Sequence, residues 1–552
     1  MKRLDFWATI ALSDVTLYVT SAAEDTMRTV IATPRRFRPC LIIGEFSARF
    51  QAYNIAAEIP SSVNLTLANT DGWLDDFLGF GPHARIWDNR EVTIKYGGVS
   101  GSAFETMATE FTGRIRRGTL RHTQEAVTFE VYDIRQAQDK NILQFTFDAD
   151  AYPNAASGVN GQYIPVIYGD FTIEGAPPAV PFGGGRLPAF CTDVTAAQFP
   201  FRVAVHGITF PATDAVYQFD ASADTWLLLV AGAGNDYVTT ADGFVLTAAR
   251  SAATDIEADV FTVNCKGKTP GTLIVAESDS EYQFAINIMA DLLVYFGGAV
   301  AGDIDTAAWV AAHAAGDAHL NRRWIGSQTT VMQAIGEIAF ENNYLFFTSP
   351  TKYELSFNLP KSAITVNVRD AQPIEDSVQS VYDPDSVYAN RAISVYDLDV
   401  SEGGGEYRGS VELNNVTAQT EYGETILTGF AFAWLYVKSN VRLQTDRKLL
   451  VLSSKAHYVD FGVHASDPTA PFWRLTLAET LTLSRWQYLD TPLQIRELRR
   501  DAESGRIFVR ALAIQDAFQV CQWANTPINL QVTFPAKWND PAITQTPAGR
   551  WF

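Results

Sequence analysis

Apolar and polar residues alternate along much of this chain. Val63, Leu65 and Leu67 flank Asn64 and Thr66; Val92, Ile94 and Tyr96 flank Thr93 and Lys95; Val127, Phe129 and Val131 flank Thr128 and Glu130. A period of two puts the apolar set on one face, the pattern of a half-buried strand. Asn69-Thr70-Asp71-Gly72 and Gly97-Gly98 supply turns between the runs. Residues 39–148 are therefore expected to form a compact antiparallel barrel or sandwich, preceded by an N-terminal arm over residues 1–38. Residues 149–280 are expected as an inserted β-rich domain, entered through a small, polar linker over 149–161. Ala176-Pro177-Pro178 and Gly183-Gly184-Gly185 cannot sit inside regular elements. Short strands are expected beyond them, around 201–205, 226–230 and 261–263.

Between 281 and 343 the period changes. Ala285, Ile288, Met289, Leu292, Leu293 and Phe296 fall at i, i+3, i+4, i+7, i+8 and i+11, the apolar stripe of a helix that ends at Gly297-Gly298. Asp305 is placed to cap an alanine-rich helix over 307–315. Ser327 can cap a third helix, with Val331, Ile335, Ile338 and Ala339 on its buried face. This is the expected helical subdomain. Residues 344–520 return to β, opening with a hairpin around Ser349-Pro350-Thr351-Lys352 and carrying a loop at Gly403-Gly404-Gly405; residues 521–552 form a tail rich in Trp and Pro. One echo joins the two ends. Gly113-Arg114-Ile115-Arg116-Arg117 leads through a turn into Val127–Val131, and Ile495-Arg496-Glu497-Leu498-Arg499-Arg500 leads through Ser504-Gly505 into Ile507–Leu512. A duplicated barrel gives this echo, and so does generic hairpin chemistry. The expected fold class is mainly β and multidomain: two related barrel regions, an inserted β module and a small helical subdomain.

Composition narrows the function. At roughly 100–200 residues per domain, 552 residues make about three to five domains. The chain has 42 Lys and Arg against 62 Asp and Glu, a net charge of −20, which disfavours a general role on DNA, RNA or anionic lipid. The 34 Phe, 21 Tyr and 12 Trp supply ample core surface and exclude disorder as a main theme. Asp5 interrupts the apolar run after Met1-Lys2-Arg3, so no signal peptide is expected. No apolar run approaches the roughly 18 residues of a membrane span.

Candidate chemistry is sparse. Cys40, Cys191, Cys265 and Cys521 stand too far apart for a zinc knuckle or a redox pair and are expected as buried thiols of a protein assembled in a reducing cytosol. His313 and His319, like His457 and His464, miss the i, i+4 spacing of a helical metalloprotease site. Gly232-Ala233-Gly234 lacks the third glycine of a dinucleotide loop, with Tyr237 in its place, and reads as a β-turn. Gly98-Val99-Ser100-Gly101-Ser102 lacks the spacing of a nucleophile elbow. The pairs Asp148/Asp150, Asp303/Asp305, Asp383/Asp385 and Asp397/Asp399 lack the Gly and Glu of a calcium loop. A glycosidase also needs two carboxylates, but a chain with 62 acids produces such pairs by chance. No catalytic, cofactor-binding or metal-ligating residue is assigned, and no enzymatic activity is expected.

The order of segments carries more than any single motif. Arg38-Pro39-Cys40-Leu41-Ile42, then 61–72 ending in Asn69-Thr70-Asp71-Gly72, then 89–97, Phe111-Thr112-Gly113-Arg114-Ile115 and 127–133 follow in the order of a first barrel. Ile164-Pro165-Val166-Ile167-Tyr168-Gly169, the segment 201–217 with Val203-Ala204-Val205-His206, and Asp291-Leu292-Leu293 through Gly297-Gly298 to Ile304-Asp305 come next. Together these resemble the central hub, or tail-tip, proteins of long-tailed bacteriophages, over roughly residues 37–350 and more faintly to about 515.

The resemblance implies a structural virion protein at the tail tip, assembled in the host cytoplasm. It implies a homotrimer in which each chain supplies two related barrels, so that three chains continue a sixfold tube. It implies partners among distal tail, tube, tip and fibre proteins, a channel that is gated and passes genomic DNA without specific binding, and no stable membrane insertion. Some related tip proteins hold an iron–sulfur cluster; the four cysteines here could converge on one only through folding. The chain carries no coiled-coil heptads, spike repeats or wall hydrolase, so adhesion and wall cutting are expected of other proteins. Two alternatives stand beside the hub: a distal tail or tube-ring subunit, normally hexameric, and a carbohydrate-active β-protein using acids such as Asp148 and Asp150. In an assembly of chains at −20 each, interfaces are expected to use neutral strand edges and the basic residues Arg114, Arg116, Arg117, Arg496, Arg499 and Arg500. The acids are then expected to face solvent or the channel, or simply to keep a large protein soluble.

Overall fold

The computed structural model describes residues 3–513 apart from internal segments, of which 50–61, 79–84, 173–186, 359–365, 382–387, 400–405 and 465–471 are the longest. The proline and glycine runs at 177–178, 183–185 and 403–405, the Asp383/Asp385 pair, and the tail with Cys521 lie outside the described residues. No described helix is long and apolar enough to cross a membrane. The fold is mostly β, with a nearly closed barrel and a half-barrel.

The first barrel is built from strands β1 (Arg3–Ala11), β2 (Thr16–Thr20), β3 (Thr26–Val30), β4 (Thr33–Pro39), β5 (Leu41–Ile43), β6 (Phe46–Arg49), β7 (Ser62–Ala68), β8 (Glu91–Ser100), β9 (Ala103–Phe104), β10 (Ala108–Ile115), β11 (Arg121–His122) and β12 (Ala126–Asp133). The sheet runs β3-β4-β2-β1-β8-β10-β12-β7-β5, with β9 and β11 on its margins and β6 paired elsewhere. The alternating residues point inward as the pattern requires. Val63, Leu65, Leu67, Val92, Ile94, Val127, Phe129 and Val131 are all buried, each contributing about 1.5–3 kcal/mol on the usual area scale. The expected N-terminal arm needs correction, since β1 lies in the middle of this sheet and pairs with both β2 and β8. Leu4 to Leu12 is itself an alternating run, and Phe6, Ala8, Ile10 and Leu12 fill the barrel core.

The inserted module follows: β13 (Val166–Tyr168), β14 (Leu187–Pro188), β15 (Phe190–Cys191), β16 (Pro200–Arg202), β17 (Val216–Asp220), β18 (Thr225–Leu228), β19 (Tyr237–Thr239), β20 (Gly243–Leu246), a single helical turn α1 (Ala248–Ser251) and β21 (Val260–Val263). Two four-stranded sheets, β14-β21-β17-β18 and β15-β16-β20-β19, share one core. Phe201 lies 4.7 Å from Phe244 and 4.4 Å from Phe261 between ring centroids. The segment expected as a linker is part of this module, because Ala156 and Val159 are buried in its core.

Helix α2 (Ala285–Asp291) continues as a π-helical turn over Leu292–Gly297 and stops at Gly298, whose φ of +80° only glycine adopts readily. Helix α3 (Thr306–Ala315) is capped by Asp305, which accepts from the Ala308 amide at 3.0 Å. Strand β22 (Arg323–Ile325) pairs with β13. Helix α4 (Val331–Glu341) is capped by Thr330, which accepts from the Gln333 amide at 3.2 Å, rather than by Ser327. The hairpin β23 (Tyr344–Thr348) and β24 (Tyr353–Phe357) packs against these helices, pinned where Trp309 Nε1 donates to the Tyr353 carbonyl at 3.0 Å.

The remainder contains β25 (Val366–Arg369), β26 (Gln379–Val381), β27 (Arg391–Asp399), β28 (Glu406–Asn414), α5 (Val416–Tyr422), β29 (Ile426–Phe432), α6 (Lys438–Ser453), β30 (His457–His464), β31 (Thr480–Arg485), β32 (Tyr488–Asp501) and β33 (Arg506–Ala513). The half-barrel runs β25-β31-β32-β33-β30-β26, and β27, β28 and β29 form a separate sheet beneath α6. This region is therefore not β throughout. The buried face of α6 is Val441, Gln444, Thr445, Lys448, Leu449 and Leu452, a helical stripe whose three polar members hide its period from a hydrophobicity reading.

Two strand orders coincide. The barrel contains β8-β10-β12-β7-β5, and the half-barrel contains β31-β32-β33-β30-β26. In both, the chain enters at the far edge strand, passes to its neighbour, then crosses to the other edge and returns as an antiparallel meander. The echo noted in the sequence falls on matching strands, β10–β12 and β32–β33. The match ends beyond them, where β1 is antiparallel to β8 but β25 is parallel to β31. One apolar cluster runs through both barrels, and β6 leaves the first to pair with β32 of the second.

Candidate functional site

The densest buried chemistry sits where the inserted module meets the helices. Strand β13 ends in Tyr168-Gly169, and Gly169 has φ of +81°, with the Asn321 carbonyl 2.3 Å from where a Cβ would lie. Only glycine fits there. The chain can then lay Tyr168 inward, where its hydroxyl donates to Asp291 Oδ2 at 2.6 Å. Lys268 reaches the same carboxylate at 2.9 and 2.8 Å and lies 3.5 Å from the centre of the Tyr295 ring. His206 closes the group: its Nε2 accepts from the Ile167 amide at 2.9 Å, and its Nδ1 lies 2.9 Å from the Gly207 carbonyl, which accepts the ring proton.

The environment sets the protonation of each group. Burial pushes the Tyr168 phenol well above its ordinary value, and the Asp291 charge adds to it. Burial lowers the Lys268 ammonium, against the pull of Asp291. The His206 ring is lowered by burial to about 4 and is therefore neutral near pH 7. Beside this group, Lys266 bridges Asp170 at 3.4 Å and Glu281 at 3.2 Å. Arg322 binds Asp397 at 2.7 Å, donates to the Asp170 carbonyl at 3.3 Å and lies over Tyr436 at 4.1 Å.

A second clamp joins α4 to the turn between β29 and α6. Glu341 accepts from three consecutive amides, those of Ala433, Trp434 and Leu435, at 2.7, 2.9 and 2.9 Å. Burial nonetheless raises its carboxyl to about 7. Lys448 on α6, lowered by burial to about 7, donates to the Phe340 carbonyl at 2.7 Å. The other polar residues of the α6 face are also spent internally. Gln444 Nε2 meets His319 Nε2 at 2.6 Å, and Thr445 donates to Ser394 at 2.8 Å.

These groups bind one another. A recess lined by Phe171, Arg322, Trp324, Asp397, Leu398 and Tyr436 encloses only about 10 Å³, room for about one water molecule and far from the roughly 300–1,000 Å³ of small-molecule sites. The arrangement is suited to locking three modules in a fixed relation. Breaking a buried pair leaves an uncompensated charge worth about 3–5 kcal/mol.

The six arginines expected at interfaces separate into two classes. Arg114 is half-buried on β10, 3.4 Å from Asn89 Oδ1; Arg116 is exposed, bound to Glu130 at 3.1 Å and lying over Tyr132; Arg117 is exposed. On the matching strand β32, Arg499 is exposed and lies over Phe508. Arg496 and Arg500 are buried, donating to Asn358 Oδ1 at 2.6 Å and to the Leu475 carbonyl at 2.5 Å. Their positions make them internal struts of the half-barrel.

The candidate carboxylates are occupied by turns and caps. Asp148 accepts from the amides of Asp150 and Ala151 at 2.9 and 2.8 Å, and both acids are exposed, not set in a cleft. Asp303 accepts from the Val300 amide, Asp305 caps α3 and Asp397 holds Arg322. Gly232 opens a β-turn closed by the Asn235 amide at 2.9 Å. Cys40 is buried in the barrel core, with its thiol pushed up to about 12, whereas Cys191 and Cys265 lie in the core of the inserted module. Among the described residues no group of three or more His, Cys, Asp or Glu is placed to hold a metal ion.

Lys268, Arg322, Glu341 and Lys448 were not singled out in the sequence. Asp291 and Glu341 carried a signal, since each is an acid next to the apolar stripe of its own helix. The three segments quoted for the middle of the chain, at 164–169, 203–206 and 291–305, converge here, through Tyr168, His206 and Asp291.

No protein-family model and no curated protein matches the sequence. Among solved structures, the chain is similar to a 43 kDa tail protein of prophage MuSo2 from Shewanella oneidensis, at 8% identity and a TM-score of 0.40, covering 93% of this chain and 99% of that one. It is similar to a tail protein from Neisseria meningitidis, at 7% identity and a TM-score of 0.41, covering 92% and 96%. It is also similar to an Escherichia coli component of the type VI secretion system, itself described as structurally similar to bacteriophage T4 tail proteins gp27 and gp5, at 7% identity and a TM-score of 0.34, covering 90% and 78%. These structural neighbours are phage tail proteins and a secretion component likened to them.

Proposed function

We propose that this chain is a structural tail protein of a phage-type virion, and that its place is the central hub of the tail tip. One observation carries the reading: the same five-strand order occurs twice, β8-β10-β12-β7-β5 and β31-β32-β33-β30-β26. A chain that holds two related barrels converts threefold into pseudo-sixfold symmetry, which an adaptor at the end of a sixfold tube requires. The buried clamps at Asp291 and Glu341 support it, since a part that transmits position needs fixed modules rather than a ligand site. In this reading three chains close the channel, neighbouring tail and tip proteins dock on the two faces of the ring, and DNA passes without specific contacts. In this reading the exposed Arg116, Arg117 and Arg499 serve interfaces, and the net charge of −20 leaves acids for solvent and the channel wall.

Electron microscopy of the purified chain, with native mass, tests it. A ring of three chains, three times 60.8 kDa, with six barrel-like densities is expected. A ring of six chains would place the protein among distal tail or tube subunits. A monomer at every concentration would overturn the ring.

A further inference from the structure

The inserted module has an apolar face that no core uses. In the sheet β14-β21-β17-β18 the register sets Tyr217 opposite Leu228, and Phe219 opposite both Trp226 and Val260. Cross-strand partners share a face, so these five side chains stand together on one side of the sheet. Their strand neighbours Val216, Phe261 and Val263 point the other way, into the core shared with the second sheet. None of the five belongs to an apolar cluster of the described residues. Leu228 and Val260 are 47% and 51% exposed, and the three aromatic residues are half-buried. The Phe219 and Trp226 ring centroids lie 5.3 Å apart. The wet face of a half-buried antiparallel sheet is ordinarily polar; here it is aromatic.

Such a face marks a binding surface, and three properties choose the ligand. The first is size. Strands lie about 4.8 Å apart and alternate residues about 7 Å apart along them, so the face measures about 10 Å by 7 Å. That is a small part of the roughly 800 Å² each partner gives to a standard protein interface, and it matches the footprint of one or two sugar rings. The second is charge. Residues 213–260 carry eight Asp or Glu and one basic residue, Arg250, which disfavours phosphate and other anionic polymers. The third is polar chemistry. The Trp226 indole N–H and the Thr262 hydroxyl share this face by register and have no hydrogen-bond partner among the described residues. Thr262 is only 5% exposed, and buried polar groups are ordinarily paired. A hydroxyl-rich ligand supplies what they lack.

We propose that the outer face of β17, β18 and β21 binds a neutral glycan, with its pyranose rings laid over Phe219 and Trp226. The C–H bonds on one face of a sugar carry partial positive charge and meet the negative face of an aromatic ring. Leu228 and Val260 exclude water at the margins, and a turn of the half-buried Trp226 ring offers its N–H to a sugar hydroxyl. The inference goes beyond the hub reading and stands without the ring. In a trimer, three such faces would strengthen retention on a repetitive polysaccharide by avidity.

The test is saturation-transfer NMR of the full chain with cello-, malto-, manno- and chitopentaose as neutral probes and pentagalacturonate as the anionic one. Transfer to at least one neutral probe and none to pentagalacturonate is expected. Trp226→Ala should weaken that binding at least about tenfold, the scale of a lost aromatic contact, with an unchanged circular dichroism spectrum. Should that variant unfold, L228K/V260K decides, since both side chains are exposed and lie outside the cores; it should weaken binding to the same degree. No transfer to any neutral probe, or transfer to pentagalacturonate alone, overturns the proposal. Unchanged affinity in L228K/V260K puts the glycan elsewhere and overturns the face. Loss of a wild-type assembly in L228K/V260K by native mass, with no glycan bound by either protein, would make the face a protein contact and likewise refute it. A wild type that stays monomeric overturns the ring and leaves this test untouched.

Discussion

His206 offers a quantitative test of the joint, because its geometry permits one protonation state. Nε2 accepts from the Ile167 amide, so a proton placed there must break that bond inside a closed site. The ring value falls to about 4 from an ordinary 6.5. At about 1.4 kcal/mol for each tenfold change, charging the folded ring costs about 3 kcal/mol more than charging the unfolded one. Between pH 6.5 and 4 the unfolded chain binds the extra proton, so stability falls as the pH falls through this window and is full above it. At pH 4.5 the loss is about 2.5 kcal/mol, a little under a hundredfold. His206→Gln keeps an acceptor for Ile167 and removes the titration. The assay is hydrogen exchange at the Ile167 amide in both proteins between pH 7 and 4.5, corrected for intrinsic rate; it reports local opening in a chain too large for one global transition. Carboxylates common to both proteins cancel in the comparison. Wild-type protection should drop relative to the variant by that factor, and parallel profiles would refute the neutral, bonded ring.

Three further outcomes follow from the same contacts. Asp291→Ala strands Lys268 and the Tyr168 hydroxyl and should cost about 3–5 kcal/mol in urea unfolding of the module, while Asp291→Leu with Lys268→Met and Tyr168→Phe should recover most of it, since a buried polar group replaced with its partners by apolar ones is often neutral. Gly169→Ala forces a side chain into φ of +81° against the Asn321 carbonyl and should lower stability by at least about 1–3 kcal/mol, seen as a fall in melting temperature. Glu341→Ala releases three buried amides and should cost about 3 kcal/mol or more; proteolysis should then cut first near 433–437, and an unchanged digestion pattern would argue against the clamp.

The parts of the fold that could be read in the sequence are those where burial is one-sided. Val63, Leu65 and Leu67 alternate because β7 has one wet face, and the stripe of α2 shows for the same reason. Helix α6 was hidden because Gln444, Thr445 and Lys448 are buried by satisfying partners on other elements, a condition no local pattern records. Strand β1 falls within the expected N-terminal arm because its alternation does not name the partners, β2 and β8, that draw it into the sheet. The joint was half legible. Tyr168-Gly169, His206 and Asp291 stood out as segments, but their convergence depends on backbone crossings more than a hundred residues apart in sequence. Arg496 and Arg500 looked like their exposed neighbour Arg499; strand period alone does not say that the inward face of β32 would accept two guanidinium groups.

The pairing of β6 with β32 bears on how the chain is made. Ser47 sits opposite Arg499 and Ala48 opposite Leu498, so during synthesis β6 waits for a partner that emerges much later. Contacts of such separation are slow to form. Until β32 leaves the ribosome, β6 is an unpaired edge, open to the same segment on neighbouring nascent chains. Truncation before residue 497 should therefore yield chains that retain the first barrel yet associate through 46–49, and soluble expression should depend on the last hairpin more steeply than its small share of the core would suggest.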